Sequence, residues 1–233
     1  MSLINKVAAI IDSKKQIDEV TYLENQVSYD EGMSFLNIDL KSIIPDFPKN
    51  SSSTTENELR AIAKATKNRS VKELDLVYTV DKDPIGIFAP YLKKHNLKFD
   101  RVLFNNYYNM LEQCVYSLKY YYNRARPEQL AEYFDIQIDV LYTATHQTPS
   151  YPSGHTMYAE LIAHMLSDTY PEHKTEFFKL AKYCGLARIL QGVHYPSDNQ
   201  ASITATSFLY PKIKEHHESK RTQIETVDRQ SKT

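Results

Sequence analysis

Apolar residues recur at helical spacing along most of the chain beyond residue 55. Leu111, Cys114, Val115 and Leu118 fall at i, i+3, i+4 and i+7. Met157, Tyr158, Leu161, Ile162, Met165 and Leu166 make a second face, and Phe177, Leu180, Ala181, Cys184 and Ala187 a third. The pattern predicts helices over roughly 56–67, 70–82, 85–95, 101–124, 128–135, 154–168, 173–191 and 198–215, with prolines mostly at the junctions. Thr55 followed by Glu58 has capping-box spacing, which starts the first of them. Residues 135–142 alternate apolar and polar, but only briefly. The expected fold is an all-α, single-domain bundle of seven or eight helices.

Before this region, residues 1–46 mix short apolar runs with acidic patches, and Pro45, Pro48 and the run Asn50 to Thr55 form a break. The division expected is an N-terminal arm over 1–50 packed on the core, a helical domain over 51–216, and a polar tail over 217–233 that frays. The 18 tyrosines read as packing residues, since neighbours such as Tyr120, Tyr121 and Tyr122 point different ways on a helix.

Composition narrows the function. With 28 Lys+Arg against 29 Asp+Glu, the 233-residue chain has a net charge of −1 and no bulk electrostatic attraction for nucleic acid or an anionic membrane. It holds five glycines and neither a G-x-G-x-x-G nor a G-x-x-x-x-G-K-[ST] motif, so backbone-cradled nucleotide sites are excluded. Any phosphate must be held mainly by side chains. Cys114 and Cys184 are too few for a disulfide scaffold or a cysteine zinc site and read as buried thiols. The run Val7 to Ile11 is too short for a signal-peptide core, and no stretch reaches membrane-spanning length. The expectation is a soluble protein without membrane insertion. As the sequence stands it is cytoplasmic; it is periplasmic if a leader preceded residue 1 and was removed.

Three clusters carry candidate chemistry. In the first, Lys119 continues the apolar stripe at i+8, and Arg126 follows two turns later, turned out of the helix by Pro127. A solvated basic helix end would look the same. In the second, Ser153, Gly154 and His155 open an amphipathic helix, placing free backbone N–H groups beside an imidazole. An ordinary serine cap with an incidental histidine is the alternative. In the third, Arg188 joins an apolar stripe, Gly192 ends the helix, and Asp198 stands four residues after the loop residue His194, near enough to fix its tautomer. Ser197 or Asp198 would cap the last helix. Taken together, three cations, two histidines and an orienting carboxylate suit phosphoryl transfer. The competing reading is a zinc site of His155, His194 and Asp198, which three clustered cations would oppose.

Lys119-x6-Arg126-Pro127, Pro152-Ser153-Gly154-His155 and Arg188-x5-His194-x3-Asp198 together resemble the signature of the type 2 phosphatidic acid phosphatase and vanadium haloperoxidase superfamily. Within it, the chain is most similar to the class A bacterial non-specific acid phosphatases, over roughly residues 50–205, a span that includes Glu58-Leu59, Arg69-Ser70 and Asp81. The resemblance implies that superfamily's helical bundle and a metal-independent acid phosphatase acting on small phosphate monoesters. It implies that His194 attacks phosphorus to form a phosphohistidine, that Asp198 orients it, and that His155 protonates the leaving alcohol. Lys119, Arg126, Ser153, Gly154 and Arg188 would bind the phosphate. No cofactor is implied, although vanadate or molybdate would occupy the site as phosphate analogues. Ala187 stands where the family pattern usually has Ser, which is expected to weaken phosphate affinity. The alternatives are a vanadate-dependent haloperoxidase and a catalytically inactive phosphate-binding helical protein. The natural substrate and the oligomeric state, a homodimer included, stay open.

Overall fold

The computed structural model describes residues 3–16, 38–39 and 42–230. Among the described residues there are nine α-helices and no strand. They are α1 (Leu3–Asp12), α2 (Ser53–Lys67), α3 (Val71–Lys82), α4 (Ala89–Lys94), α5 (Arg101–Tyr122), α6 (Pro127–Ala131), α7 (Gly154–Thr169), α8 (Lys174–Leu190) and α9 (Pro196–Gln230). Short 3₁₀ turns cover Pro84–Ile87, Glu132–Phe134, Ala144–Gln147 and Pro171–His173.

Helix α7 is the hub. It packs on α5, α8 and α9, while α8 also meets α2 and α3. Its apolar stripe is buried, and so are Thr156, Ala159, Glu160 and Ala163 on its other faces. A helix buried on nearly every side belongs at the centre of a bundle. The stripes on α5 and α8 are buried as well, and each carries its cation inward: Lys119 is 4% exposed and Arg188 fully buried. Both cysteines are buried free thiols.

Several local expectations change. The cap of α2 is Ser52, whose hydroxyl accepts from Thr55 N–H; Thr55 instead donates its hydroxyl to the Lys49 carbonyl, and Glu58 reaches across to another part of the chain. The predicted helix 85–95 is a 3₁₀ turn followed by α4, and 128–135 is the short α6 plus a 3₁₀ turn. Helix α5 stops at Tyr122 because Asn123 is left-handed (φ 45°), so Lys119 and Arg126 do not share one helix. The chain runs on to Arg126, which is extended at the start of α6. The apolar run 7–11 belongs to α1, which joins the core by Asn50 Nδ2 donating to the Ile11 and Lys14 carbonyls and by Asp12 accepting from Ser51. Helix α9 begins at Pro196, two residues early, and continues to Gln230, well beyond the predicted end at 215.

Two hydrophobic clusters frame the remainder. The larger surrounds α7 and includes Tyr122, Tyr151, Leu190 and Ala201. The smaller joins Leu59, Ile62, Ala125, Leu130, Ala131 and Tyr195. The segments 122–125 and 190–201 therefore run from one cluster to the other, and the polar residues between them are anchored at both ends.

Candidate active site

Gly192 ends the α8 region with a positive φ of 85°, as its position after the last helical residue demands. The loop it opens carries His194 into a buried position, 2% exposed. His194 Nδ1 lies 2.9 Å from Asp198 Oδ2, and Nε2 lies 3.0 Å from Arg126 Nη1. An arginine can only donate, so Nε2 is an acceptor and the proton sits on Nδ1, facing Asp198. The tautomer is thus set from both sides. Asp198 is the third residue of α9, and its Oδ2 also accepts from Tyr195 N–H at 3.0 Å, which is half of a capping box. Asp198 therefore acts from the first turn of the helix, and neither it nor Ser197 is the N-cap.

The cations come from three places. Lys119 Nζ donates to the Pro149 carbonyl. Arg126 spreads its guanidinium over the carbonyls of Thr148 (2.9 Å), Val193 (2.7 Å) and Thr145 (3.1 Å) as well as His194. Arg188 donates to Asp81 Oδ1 at 2.8 Å and to Gln191 Oε1, and reaches Thr145 Oγ1 at 3.4 Å.

Lys119, Arg126, Gly154, His155 and His194 line one cavity of about 230 Å³, together with Thr145, Thr148, Asp81, Lys82 and the rings of Tyr108, Tyr116 and Tyr158. Residues drawn from all three clusters thus meet around one space. The loop of 143–147 contributes Thr145, whereas its His146 pairs with Glu128 at 2.6 Å. Three expected site residues stand back from the cavity wall. Asp198 lies behind the His194 ring, Arg188 is held by Asp81 and Gln191, and Ser153 Oγ accepts from Thr156 Oγ1 at 3.0 Å. Because Ser153 makes no capping bond with its side chain, the N–H groups at the start of α7 are not occupied by it. Ala187, buried on α8, offers no hydroxyl beside Arg188. The Asp198 carboxylate faces Nδ1 and is already engaged, so it does not converge with His155 and His194 as a zinc ligand set would.

The electrostatics follow from burying these cations. Burial, then Arg126 and Lys119, hold the His194 imidazole well below its usual pKa. Burial and then Arg188 do the same to His155, with Asp81 opposing. The Lys119 ammonium is pushed well below its ordinary value by burial and by Arg126, and Arg126 itself falls to about 10. Every one of these shifts reports a pocket with excess positive charge and little water, which an oxyanion would relieve.

Sequence reasoning missed three residues that complete the site. Arg124 is fully buried and donates to Asp198 Oδ1 at 2.6 Å; Ser150 Oγ donates to Asp198 Oδ2 at 2.5 Å; Glu58 accepts from Ser197 N–H at 2.6 Å. The signals present were that Arg124 and Ser150 lie within the first and second clusters and that Glu58 falls in the segment resembling the acid phosphatases, but none of these assigned the three a role.

A PAP2 superfamily model matches residues 102–210. The non-specific acid phosphatases of Salmonella typhi and of Salmonella typhimurium strain LT2 are each 34% identical over 120 residues, 49% of this chain and 48% of theirs. The chain thus spans about half the length of the curated relatives it matches. Among solved structures, a transmembrane PAP2 type phosphatidylglycerolphosphate phosphatase from Bacillus subtilis aligns with a TM-score of 0.49 at 19% identity, covering 84% of this chain and 96% of that one. Among the described residues here, no helix is long and apolar enough to cross a membrane. Residues 102–210 carry all three clusters, and it is through that segment that the chain is similar to the PAP2 superfamily.

Proposed function

We propose that the cavity hydrolyses phosphate monoesters in two metal-independent steps through a phosphohistidine. One observation carries the reading: two imidazoles, one tautomerically fixed with Nε2 as the acceptor, face the same small cavity as two buried cations. In the first step the Nε2 lone pair of His194 attacks phosphorus, the ester P–O bond breaks, and His155 gives its proton to the departing alkoxide. In the second, His155 takes a proton from water, the hydroxide attacks phosphorus, and the N–P bond breaks to release inorganic phosphate. Lys119 and Arg126 neutralise the equatorial oxygens, and Arg188, released from Asp81 and Gln191, joins them. The name of the Salmonella relatives, non-specific acid phosphatase, supports the hydrolysis of a phosphate ester.

The test is chemical trapping. Brief reaction with a ³²P-labelled monoester followed by alkaline quenching should leave an acid-labile label on His194, with turnover undiminished by EDTA. His194→Ala should lose both label and turnover. A variant that keeps most of its activity would remove His194 as the nucleophile. Oxidation of halide by peroxide with vanadate would point instead to the haloperoxidase chemistry.

A further inference from the structure

Arg124 lies two residues before Arg126 but does not line the cavity. Its Nη1 donates to Asp198 Oδ1 at 2.6 Å and to Ser197 Oγ at 2.8 Å, and its Nη2 reaches Glu58 Oε2 at 3.3 Å. The guanidinium carbon sits 3.7 Å from the centre of the Tyr195 ring, which holds the fork flat against the loop. Asp198 places its second oxygen on His194. A chain of alternating charge, Glu58–Arg124–Asp198–His194, therefore runs from α2 to the loop between α8 and α9.

We infer that Arg124 is a positioning residue: it clamps the Asp198 carboxylate against His194 while offsetting enough of its charge to keep the imidazole unprotonated in acid. The inference takes its catalytic meaning from the phosphatase reading. A carboxylate in hydrogen-bond contact normally raises the pKa of an imidazole, and a raised pKa would protonate the nucleophile where an acid phosphatase must work. Here His194 meets an ion pair in place of a bare carboxylate. Its other charged and titratable neighbours are Arg126 at the α5–α6 junction, Lys119 on α5, His155 on α7 and Arg188 on α8. The two further carboxylates of the site, Glu58 on α2 and Asp81 on α3, are bonded to Arg124 and Arg188 and not to the ring. Asp198 is thus the carboxylate that touches His194 among the described residues, and Arg124 is the cation that answers it from the far side.

The experiment is the pH dependence of kcat/KM for p-nitrophenyl phosphate in three variants, each checked for folding by circular dichroism. Arg124→Gln should move the acid limb up by about one pH unit or more. Glu58→Gln, which leaves Arg124 more fully committed to Asp198, should move it down. Arg124→Lys should stay near wild type. An unmoved limb in folded Arg124→Gln, or shifts of one sign in both neutral variants, overturns the inference; a purely structural role would reduce rates without opposite displacements. Should Arg124→Gln not fold, a downward shift in Glu58→Gln with a near-wild-type limb in Arg124→Lys supports it, and an unmoved Glu58→Gln limb overturns it. Should the wild-type protein hydrolyse no ester at any pH, the phosphatase reading fails, and ¹⁵N titration of His194 in the same variants still decides the role of Arg124 by the direction of its pKa.

Discussion

His155 and His194 are both buried imidazoles pushed to low pKa, yet their surroundings divide the labour between them. His194 is bonded on both nitrogens, whereas His155 makes no side-chain hydrogen bond to the described residues and faces the cavity. An imidazole kept neutral by neighbouring cations becomes a proton donor once a phosphate dianion enters and offsets them. His155→Ala should therefore lower kcat/KM, which reports the first step, by about 10²–10⁴ for alkyl phosphates and far less for p-nitrophenyl phosphate, because the nitrophenolate leaves without a proton. Equal losses on both substrates would remove His155 as the general acid. For the same reason inorganic phosphate should bind more tightly as pH falls through neutrality, with proton uptake measurable by calorimetry in buffers of different ionisation enthalpy. Binding that strengthens as pH rises would contradict this account.

At the scale of elements, the sequence made the helices legible wherever a stripe repeated locally, and the inward cations Lys119 and Arg188 stood out because they broke such stripes. What escaped was contact between distant segments. Arg124 lies in a cluster that a solvated basic helix end would equally fit, and nothing nearby in sequence announces Glu58, 66 residues earlier, or Asp198, 74 later. Ser52 offers the same capping chemistry as Thr55 one turn earlier, and only packing chooses between them. The full extent of α9 is hidden in the sequence because its apolar pattern fades after 215, although Lys, Glu, Arg and Gln there are good helix formers. Gly192 tests how tightly these elements meet. A Cβ there would stand 3.1 Å from Ile138 Cγ2 and 3.4 Å from Val140 Cα, on a backbone that disfavours any side chain. Gly192→Ala should cost at least about 1–2 kcal/mol in urea unfolding and displace the loop that carries His194, lowering kcat as well. A variant as stable and active as wild type would show that the 138–140 segment does not restrain this loop.

For the whole molecule, the buried histidines tie stability to pH. Each has a folded pKa below its unfolded value of 6.5, so below that pH the unfolded chain binds protons that the native state refuses. Stability contributed by these two groups is complete above 6.5 and falls as pH drops toward their folded values. Glu160 on α7, pushed up to about 7 by burial, works the other way by one proton between 7 and 4.5. The two site histidines, joined by His164, whose imidazole burial also lowers, outweigh that single carboxyl. Thermal melts without oxyanion should thus fall on acidification below 6.5, and saturating phosphate should flatten the decline. A melting temperature that rises over that interval, or is indifferent to phosphate, would refute the linkage. The double duty of Asp198 extends this coupling to amide exchange. Tyr195 N–H bonds to the same carboxylate oxygen that orients His194, so the longest helix and that imidazole are secured by one atom. The deuterium-exchange protection of that single amide is a readout of whether the His194 imidazole is in place, available without substrate and without turnover.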